Sequence, residues 1–309
     1  MHVPEEMLEE SVGPLGCSVH GFPRSYLGLP LSWEKLTLAD FLPMIAKVDK
    51  YLAGWRSRLL SPAGRLVLIN AVLDAFPTYA MAAMRLPTVV IKALDALWRA
   101  FLWNAAERAS EARCLIAWER VCRAKDEGGP GVQDLATQNE CLLLKMLHRL
   151  HGESGRGEHG KALSALLPLY RDLSRVDVRY GRRTSFWFDC WLSCGVVATA
   201  FPALFFHTTD SEVTVYRVRA TGLDWVMVPR LISAGAAERI ALLDLVNADP
   251  ALDGADERRL PLCSDGHGRL VTGSAYTLSR LGGVRAPHAE FIWGARAPPR
   301  VRFFGWLLV

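Results

Sequence analysis

The chain has little cysteine and spreads it thinly. Seven cysteines in 309 residues, odd in number and mostly far apart, exclude a disulfide framework and point to a reducing compartment. Only Cys190 and Cys194 are close in sequence, and no second Cys or His pair completes a zinc set. Buried free thiols are expected, with no metal site. No Asp-Asp dipeptide occurs anywhere, whereas polymerase-type phosphoryl transfer needs clustered carboxylates to hold its metal ions. The G-x-S-x-G nucleophile elbow and the H-E-x-x-H zinc helix are also missing. No catalytic residue and no cofactor are therefore expected. No apolar run approaches the ~18–20 residues of a membrane helix. The longest candidate, residues 196–206, is short and contains Thr199 and Pro202. The start, Met1-His2-Val3-Pro4-Glu5-Glu6, is acidic and carries no secretory h-region. An intracellular protein of nucleus or cytoplasm, without membrane partner or small-molecule ligand, is the expectation.

What is present is a globular composition, 50% hydrophobic and 22% charged, enough for one large or two modest domains. The net charge of +4 hides an asymmetry. Residues 1–34 carry one Arg against five Glu, while residues 35–125 carry 14 Lys/Arg against 7 Asp/Glu. A basic middle segment is what a phosphate-facing surface needs, although ordinary soluble helices also carry such charge.

Periodicity predicts mostly helix. Phe41, Ile45, Val48, Leu52, Trp55 and Leu59 form one stripe over residues 41–60, with Asp40 as N-cap and Pro43 in the first turn. Lys47, Lys50, Arg56 and Arg58 fall off that stripe and face solvent or a partner. Ser61-Pro62 announces a second helix, with Leu66, Ile69, Val72, Leu73 and Phe76 inward and Pro77 ending it. A third runs from Pro87-Thr88 to about Trp103, and a fourth spans about 137–150. Gly128-Gly129-Pro130-Gly131 is a turn, and the glycine-rich stretch 152–161 is the expected linker. Beyond it, helix is expected over 162–175 and 236–246, short strands around 184–188 and 213–218, and a loop over 249–268.

Other signals are weak. Gly155-Arg156-Gly157-Glu158-His159-Gly160-Lys161-Ala162 nearly spells a phosphate-binding loop, but Ala162 replaces the hydroxyl that would hold magnesium, and a helix precedes it where a strand is needed. His148 and His151 are expected to be solvated at a helix end. The ten tryptophans are expected mainly in the core; base stacking would need exposed aromatics beside basic residues, for which Trp55-Arg56-Ser57-Arg58 and Trp98-Arg99 are the local candidates.

Many short blocks in one order carry a resemblance. Phe22-Pro23 with Tyr26-Leu27-Gly28-Leu29-Pro30-Leu31-Ser32 resembles the strand and turn leaving the palm of plant LINE-type (non-LTR) retrotransposon reverse transcriptases. Residues 60–73 and Leu86-Pro87 through Phe101-Leu102-Trp103 are similar to the thumb helices of that family. Ala117-Trp118-Glu119-Arg120-Val121-Cys122, Lys125, Gly128-Gly129-Pro130-Gly131-Val132-Gln133-Asp134-Leu135 and Asn139 resemble the next blocks, with Pro130 where the family usually has an aliphatic residue. Gly181-Arg182-Arg183-Thr184-Ser185-Phe186-Trp187-Phe188-Asp189-Cys190-Trp191 resembles the later G-x-x-x-S-F-W-x-D-x-W block. Ser274-Ala275-Tyr276, Ile292-Trp293 and residues 298–307 look like the lead-in to the zinc-binding region.

The resemblance implies a mainly α fold, a helical thumb-like bundle followed by a mixed α/β, irregular C-terminal region. Its divisions would be 1–35, the end of the palm; 36–151, the thumb-like domain; 152–161, the linker; and 162–309, the approach to the zinc-binding region. The catalytic aspartates of the family would lie upstream and its zinc ligands downstream. The implied function is a non-catalytic fragment with at most non-specific binding of an RNA–DNA or DNA duplex through phosphates, by Lys47, Lys50, Arg56, Arg58, Arg65 and Lys92. The alternative is a structural or protein-interaction remnant without nucleic-acid affinity.

Overall fold

The structure, a computed structural model, describes residues 22, 24–32, 34–55, 60–104, 114–154, 160–249, 254–280 and 284–309. In chain order the elements are β1 (Arg24–Tyr26), β2 (Leu29–Leu31), α1 (Leu38–Trp55), α2 (Pro62–Ala71), α3 (Thr78–Ala83), α4 (Thr88–Asn104), α5 (Trp118–Val121) and α6 (Leu135–Ser154). They continue as α7 (Lys161–Ser164), α8 (Leu167–Leu173), β3 (Arg175–Asp177), β4 (Cys190–Leu192), β5 (Gly195–Val196), α9 (Val197–Ala200), α10 (Pro202–Phe205) and α11 (Val215–Thr221). Last come α12 (Ser233–Ala248), β6 (Glu257–Arg259), α13 (Thr272–Ser279), α14 (Ala289–Trp293) and α15 (Pro299–Leu307). The fold is mainly α, with a mixed and irregular C-terminal region.

Packing divides the chain into two compact units. The first holds the described residues up to 80, those of 86–135 and 285–309; the second holds residues 81–85 and the described residues of 136–284. The division falls where α6 begins, ahead of the glycine-rich stretch, whose residues 155–159 lie outside the described residues. The reason is the apolar face of α6. Cys141, Leu143, Leu144 and Leu147 join Leu163, Leu166, Tyr170, Leu260 and Cys263 in one core of the second unit.

In the first unit β1 and β2 form an antiparallel hairpin, Arg24 opposite Leu31 and Tyr26 opposite Leu29. Its two-residue turn has Leu27 at φ 51° and Gly28 at φ 81°. That conformation matches the twist of the strands, at the expense of an unusual φ for leucine. Helix α1 starts earlier than the sequence indicates. Asp40 sits in its first turn and reaches back, accepting from the Thr37 backbone N–H at 2.7 Å and the Thr37 hydroxyl at 2.9 Å. The arrangement resembles a capping box, and the Thr37 bonds, backbone first, hold the Asp40 carboxyl below its usual range. Phe41, Val48 and Leu52 are buried and Ile45 is partly so; the Trp55 side chain and Leu59 lie outside the description.

Helix α2 is capped as expected, the Ser61 hydroxyl accepting from Gly64 N–H at 3.2 Å. It ends at Ala71, where Val72 leaves helical geometry at φ −129°, and a short 3₁₀ turn, Leu73–Ala75, follows before α3. The stretch Pro62–Ala83 is long and apolar enough in composition to cross a membrane. It is nonetheless broken into three pieces, and Leu66, Ile69, Leu73 and Ala80 are buried within the protein. Helix α4 packs against α1 and α2, with Val90, Leu94, Trp98 and Phe101 inward, and α15 packs on α2. Gly129 is obligatory in the turn after α5, since a Cβ there would lie 2.2 Å from the Arg123 carbonyl oxygen.

The second unit departs further from expectation. The helix expected over 162–175 is split into α7 and α8, and Arg175 opens β3. The loop expected over 249–268 contains β6, which pairs antiparallel with β3, Val176 opposite Arg258. No strand forms at 184–188 or 213–218; an isolated bridge joins Ser185 to Thr214. Thr214 instead caps α11, its hydroxyl accepting from Arg217 N–H at 3.3 Å. A second core gathers Phe186, Trp187, Trp191, Leu204, Val215 and Leu242.

Candidate nucleic-acid interface

Three of the six basic residues singled out stand free on helix surfaces of the first unit. Lys47 and Lys50, one turn apart, lie on the face of α1 opposite Phe41, Val48 and Leu52, and both are exposed. Lys92 is exposed on α4, the helix packed against α1. None of the three pairs with a carboxylate among the described residues. Such ammonium groups remain available for phosphates, and their attraction falls with salt.

Arg65 is used differently. Its Nε donates to the Leu60 carbonyl at 3.1 Å, and one terminal nitrogen donates to the carbonyls of Leu102 at 3.0 Å and Phe101 at 3.4 Å. The guanidinium thus fastens α2 to the C-terminal turn of α4, where carbonyls lack helical partners. Burial lowers its pKa from the ordinary arginine value. Arg56 and Arg58 lie outside the described residues.

The first unit also buries acids. Asp74 is 8% exposed, and one of its carboxylate oxygens has no hydrogen-bond partner among the described residues. Burial pushes its pKa up to about 7, offset in part by the Gln133 backbone N–H. Asp95 on α4 is pushed up to about 6, again chiefly by burial, with Asp134 and Glu119 adding repulsion against the pull of the Trp118 indole and Arg99.

In the second unit the segment 181–191 is a structural assembly. The Asp189 carboxylate, 3% exposed, accepts from Ser185 N–H at 2.7 Å and meets Arg258 at 2.8 Å. Its other oxygen lies 3.5 Å from Arg171 Nε. Arg258 also donates to the Ser174 hydroxyl at 2.7 Å and lies over the Tyr170 ring. Trp191 donates its indole N–H to the Phe186 carbonyl at 3.0 Å. Asp256 closes the loop before this block. One of its oxygens accepts from the N–H groups of Arg179 (2.9 Å) and Gly181 (2.7 Å), and the other from Arg183 N–H (3.2 Å) and the Thr184 hydroxyl (2.9 Å). Asn139 likewise serves structure, donating to the Met81 and Met84 carbonyls at 2.7 and 3.0 Å.

His148, expected in solvent, is held at both ring nitrogens, by the Tyr170 hydroxyl and the Gly268 carbonyl, each at 3.0 Å. Burial pushes the Tyr170 phenol up to about 12 and the Cys141 thiol up to about 11. Six cysteines are described and all are free. Among the described residues no group of three or more His, Cys, Asp or Glu is placed to hold a metal ion. Tryptophans 98, 118, 187, 191 and 306 are buried, whereas Trp225 is 78% exposed.

One basic and aromatic cluster escaped the sequence reading. Arg182 lies over the rings of Tyr216 (4.9 Å) and Tyr180 (5.9 Å), both about half exposed. Its signal was the interleaving in Arg179-Tyr180-Gly181-Arg182-Arg183; the second tyrosine is 36 residues away and invisible to local pattern.

No family model matches the chain, and no solved structure matches it. It is 27% identical over 321 residues to an Arabidopsis thaliana protein named "Putative ribonuclease H protein", a match covering 91% of this chain and 50% of that protein. It is 35% identical over 77 residues to an "Uncharacterized mitochondrial protein" of the same plant, covering 25% of this chain and 49% of that one. The chain spans about half the length of the curated relatives it matches.

Proposed function

We propose that this chain is part of a retroelement reverse transcriptase of the plant LINE type. Its first unit would grip a template–primer duplex through phosphates, without polymerase chemistry of its own. The ordered blocks of the sequence support the origin, as does similarity along nearly the whole chain to the Arabidopsis protein. The ribonuclease H name belongs to a protein of about twice the matched span, and that activity is not carried over here. The observation that carries the grip is the exposure of Lys47, Lys50 and Lys92 on two packed helices, unpaired with any described carboxylate. Such contacts hold register and read no sequence.

The test is fluorescence anisotropy of the full chain with a labelled RNA–DNA duplex across a salt series. Joint substitution Lys47→Ala, Lys50→Ala and Lys92→Ala is expected to weaken binding about tenfold at low salt and to flatten the log–log salt slope by about two to three. Arg56→Ala with Arg58→Ala is expected to act in the same direction. Unchanged affinity in folded variants overturns the grip.

A protein-interaction role without nucleic-acid affinity is favoured by one feature. Val301, Phe304 and Leu308 recur along one side of α15 and are more than half exposed. Such a stripe is what a protein partner would cover. A wild-type chain that is folded and monomeric, yet binds no duplex at any salt, selects that reading.

A further inference from the structure

The second unit presents a surface with the chemistry of a single-strand clamp. Arg182 is stacked against two half-exposed tyrosines, and no described carboxylate pairs with Arg182 or with its exposed neighbour Arg183. The nearby charges are accounted for. Arg179 pairs with Glu257 at 3.3 Å, and exposed Arg217 has a loose contact with Asp210 at 3.8 Å. Asp256 is occupied by three backbone N–H groups and a hydroxyl. Positive charge and ring surface therefore remain available together.

The platform is built. Gly181 takes φ +71°, and a Cβ there would lie 2.9 Å from both the Tyr216 nitrogen and the Val215 Cβ. Only glycine lets the loop approach α11 so closely. Tyr216 N–H then donates to the Gly181 carbonyl and Val215 N–H to the Thr184 carbonyl, each at 3.0 Å. Those bonds hold Tyr216 beside Arg182 without drawing on either side chain's polar atoms.

We propose that Tyr180, Arg182 and Tyr216, with Arg183 and Arg217, bind single-stranded nucleic acid. Bases stack on the ring faces or on the guanidinium plane of Arg182, and Arg183 and Arg217 meet phosphates. Duplex bases are already stacked on one another and cannot use such a platform, whereas a single strand offers its bases freely. Stacking accepts the face of any base, so sequence preference is expected to be weak. This surface lies in the other unit from Lys47, Lys50 and Lys92, and stands whether or not the duplex grip does.

The experiment is anisotropy of the full chain with labelled 12-mers of oligo(U) and oligo(dT), beside the RNA–DNA duplex, over a salt series. Wild type is expected to bind both single strands, and a preference for either assigns RNA or DNA as the source. Arg182→Ala with Arg183→Ala is expected to weaken single-strand binding about tenfold and reduce the salt slope by about one. Tyr216→Ala, an exposed change, is expected to weaken it fivefold or more, with Tyr216→Phe retaining affinity. Gly181→Ala is expected to weaken it by separating the loop from α11. Circular dichroism checks folding; should the double variant fail to fold, Arg183→Glu alone must still lower affinity. No single-strand binding by wild type overturns the proposal. So does unchanged affinity in folded variants, or an equal loss for duplex and single strand with Tyr216→Ala neutral, which would mean charge without stacking.

Discussion

The two units treat buried carboxylates in opposite ways. The first encloses Asp74 and Asp95 where burial outweighs every compensating group, Arg99 and the Trp118 indole offsetting only part of it at Asp95, so both carboxyls hold their protons toward neutral pH. The second encloses Asp189 between Arg258 and Arg171, and surrounds Asp256 with N–H groups and a hydroxyl. A buried acid is thus a liability where its surroundings are apolar, and a fastening where they supply donors. The difference also marks where each unit is expected to fail. In the first, charging an acid strains the helical packing. In the second, removing an acid strands its cations.

The largest effect should come from breaking the compensated side. Asp189→Ala leaves Arg258 and Arg171, with side chains 13% and 19% exposed, facing no described anion, and frees the Ser185 N–H. A destabilisation of about 3–5 kcal/mol is expected, read as a lowered urea midpoint by tryptophan fluorescence, since Trp187 and Trp191 lie in the same core. A loss below about 1 kcal/mol would mean that the cations find solvent easily and that the contrast between the units is overstated.

Asp74→Asn tests the uncompensated side and has the opposite sign. The folded pKa, about 7, lies above the ordinary value of 3.8, so the native state binds this proton more tightly than the unfolded chain. Stability is full below about pH 4, falls as the pH rises through 7, and then levels off. Asparagine removes the charge, and is expected to stabilise the protein by on the order of 2–4 kcal/mol at pH 8 and by little at pH 4. Urea midpoints at the two pH values decide it; a pH-independent change would locate the cause elsewhere. Asp95, raised to about 6, follows the same sign over a narrower window.

Gly181→Ala should have a smaller effect on stability, about 1–3 kcal/mol, because it forces a side chain onto a left-handed backbone and against α11. The change falls on a surface loop anchored by Asp256. The loss should therefore disappear in an Asp256→Ala background if the loop is already released there, which a double-mutant cycle measures.

What the sequence disclosed follows from range. The stripe of Phe41, Val48 and Leu52 and the Ser61-Pro62 cap are local, and so is the outward placing of Lys47, Lys50 and Lys92; helical period alone reads them. Arg65 sits on the same kind of helix but turns inward, because the carbonyls that hold it come from Phe101 and Leu102, 36 and 37 residues away. The pairing of β3 with β6 and the capture of residues 179–184 by Asp256 join segments more than 70 residues apart. The residues in β6, Glu257, Arg258 and Arg259, carry no apolar alternation, so nothing local could mark them as a strand. Thr214 misled for a different reason: β-branched residues at 213–215 favour strands, yet one hydroxyl at a helix start outweighs that preference.

The smallest effect sharpens the comparison at its margin. The Gly268 carbonyl can only accept, so His148 Nε2 carries a proton; with a neutral ring, Nδ1 accepts from the Tyr170 hydroxyl. Tyr170→Phe deletes that donor while leaving the ring beneath Arg258. His148 is only half-buried, so water can replace the lost partner and the penalty for an unmade bond is reduced. A destabilisation of about 0.5–1.5 kcal/mol is expected in urea. A loss as large as that of Asp189→Ala would show that the hydroxyl, rather than the Asp189–Arg258 pair, anchors this side of the second unit.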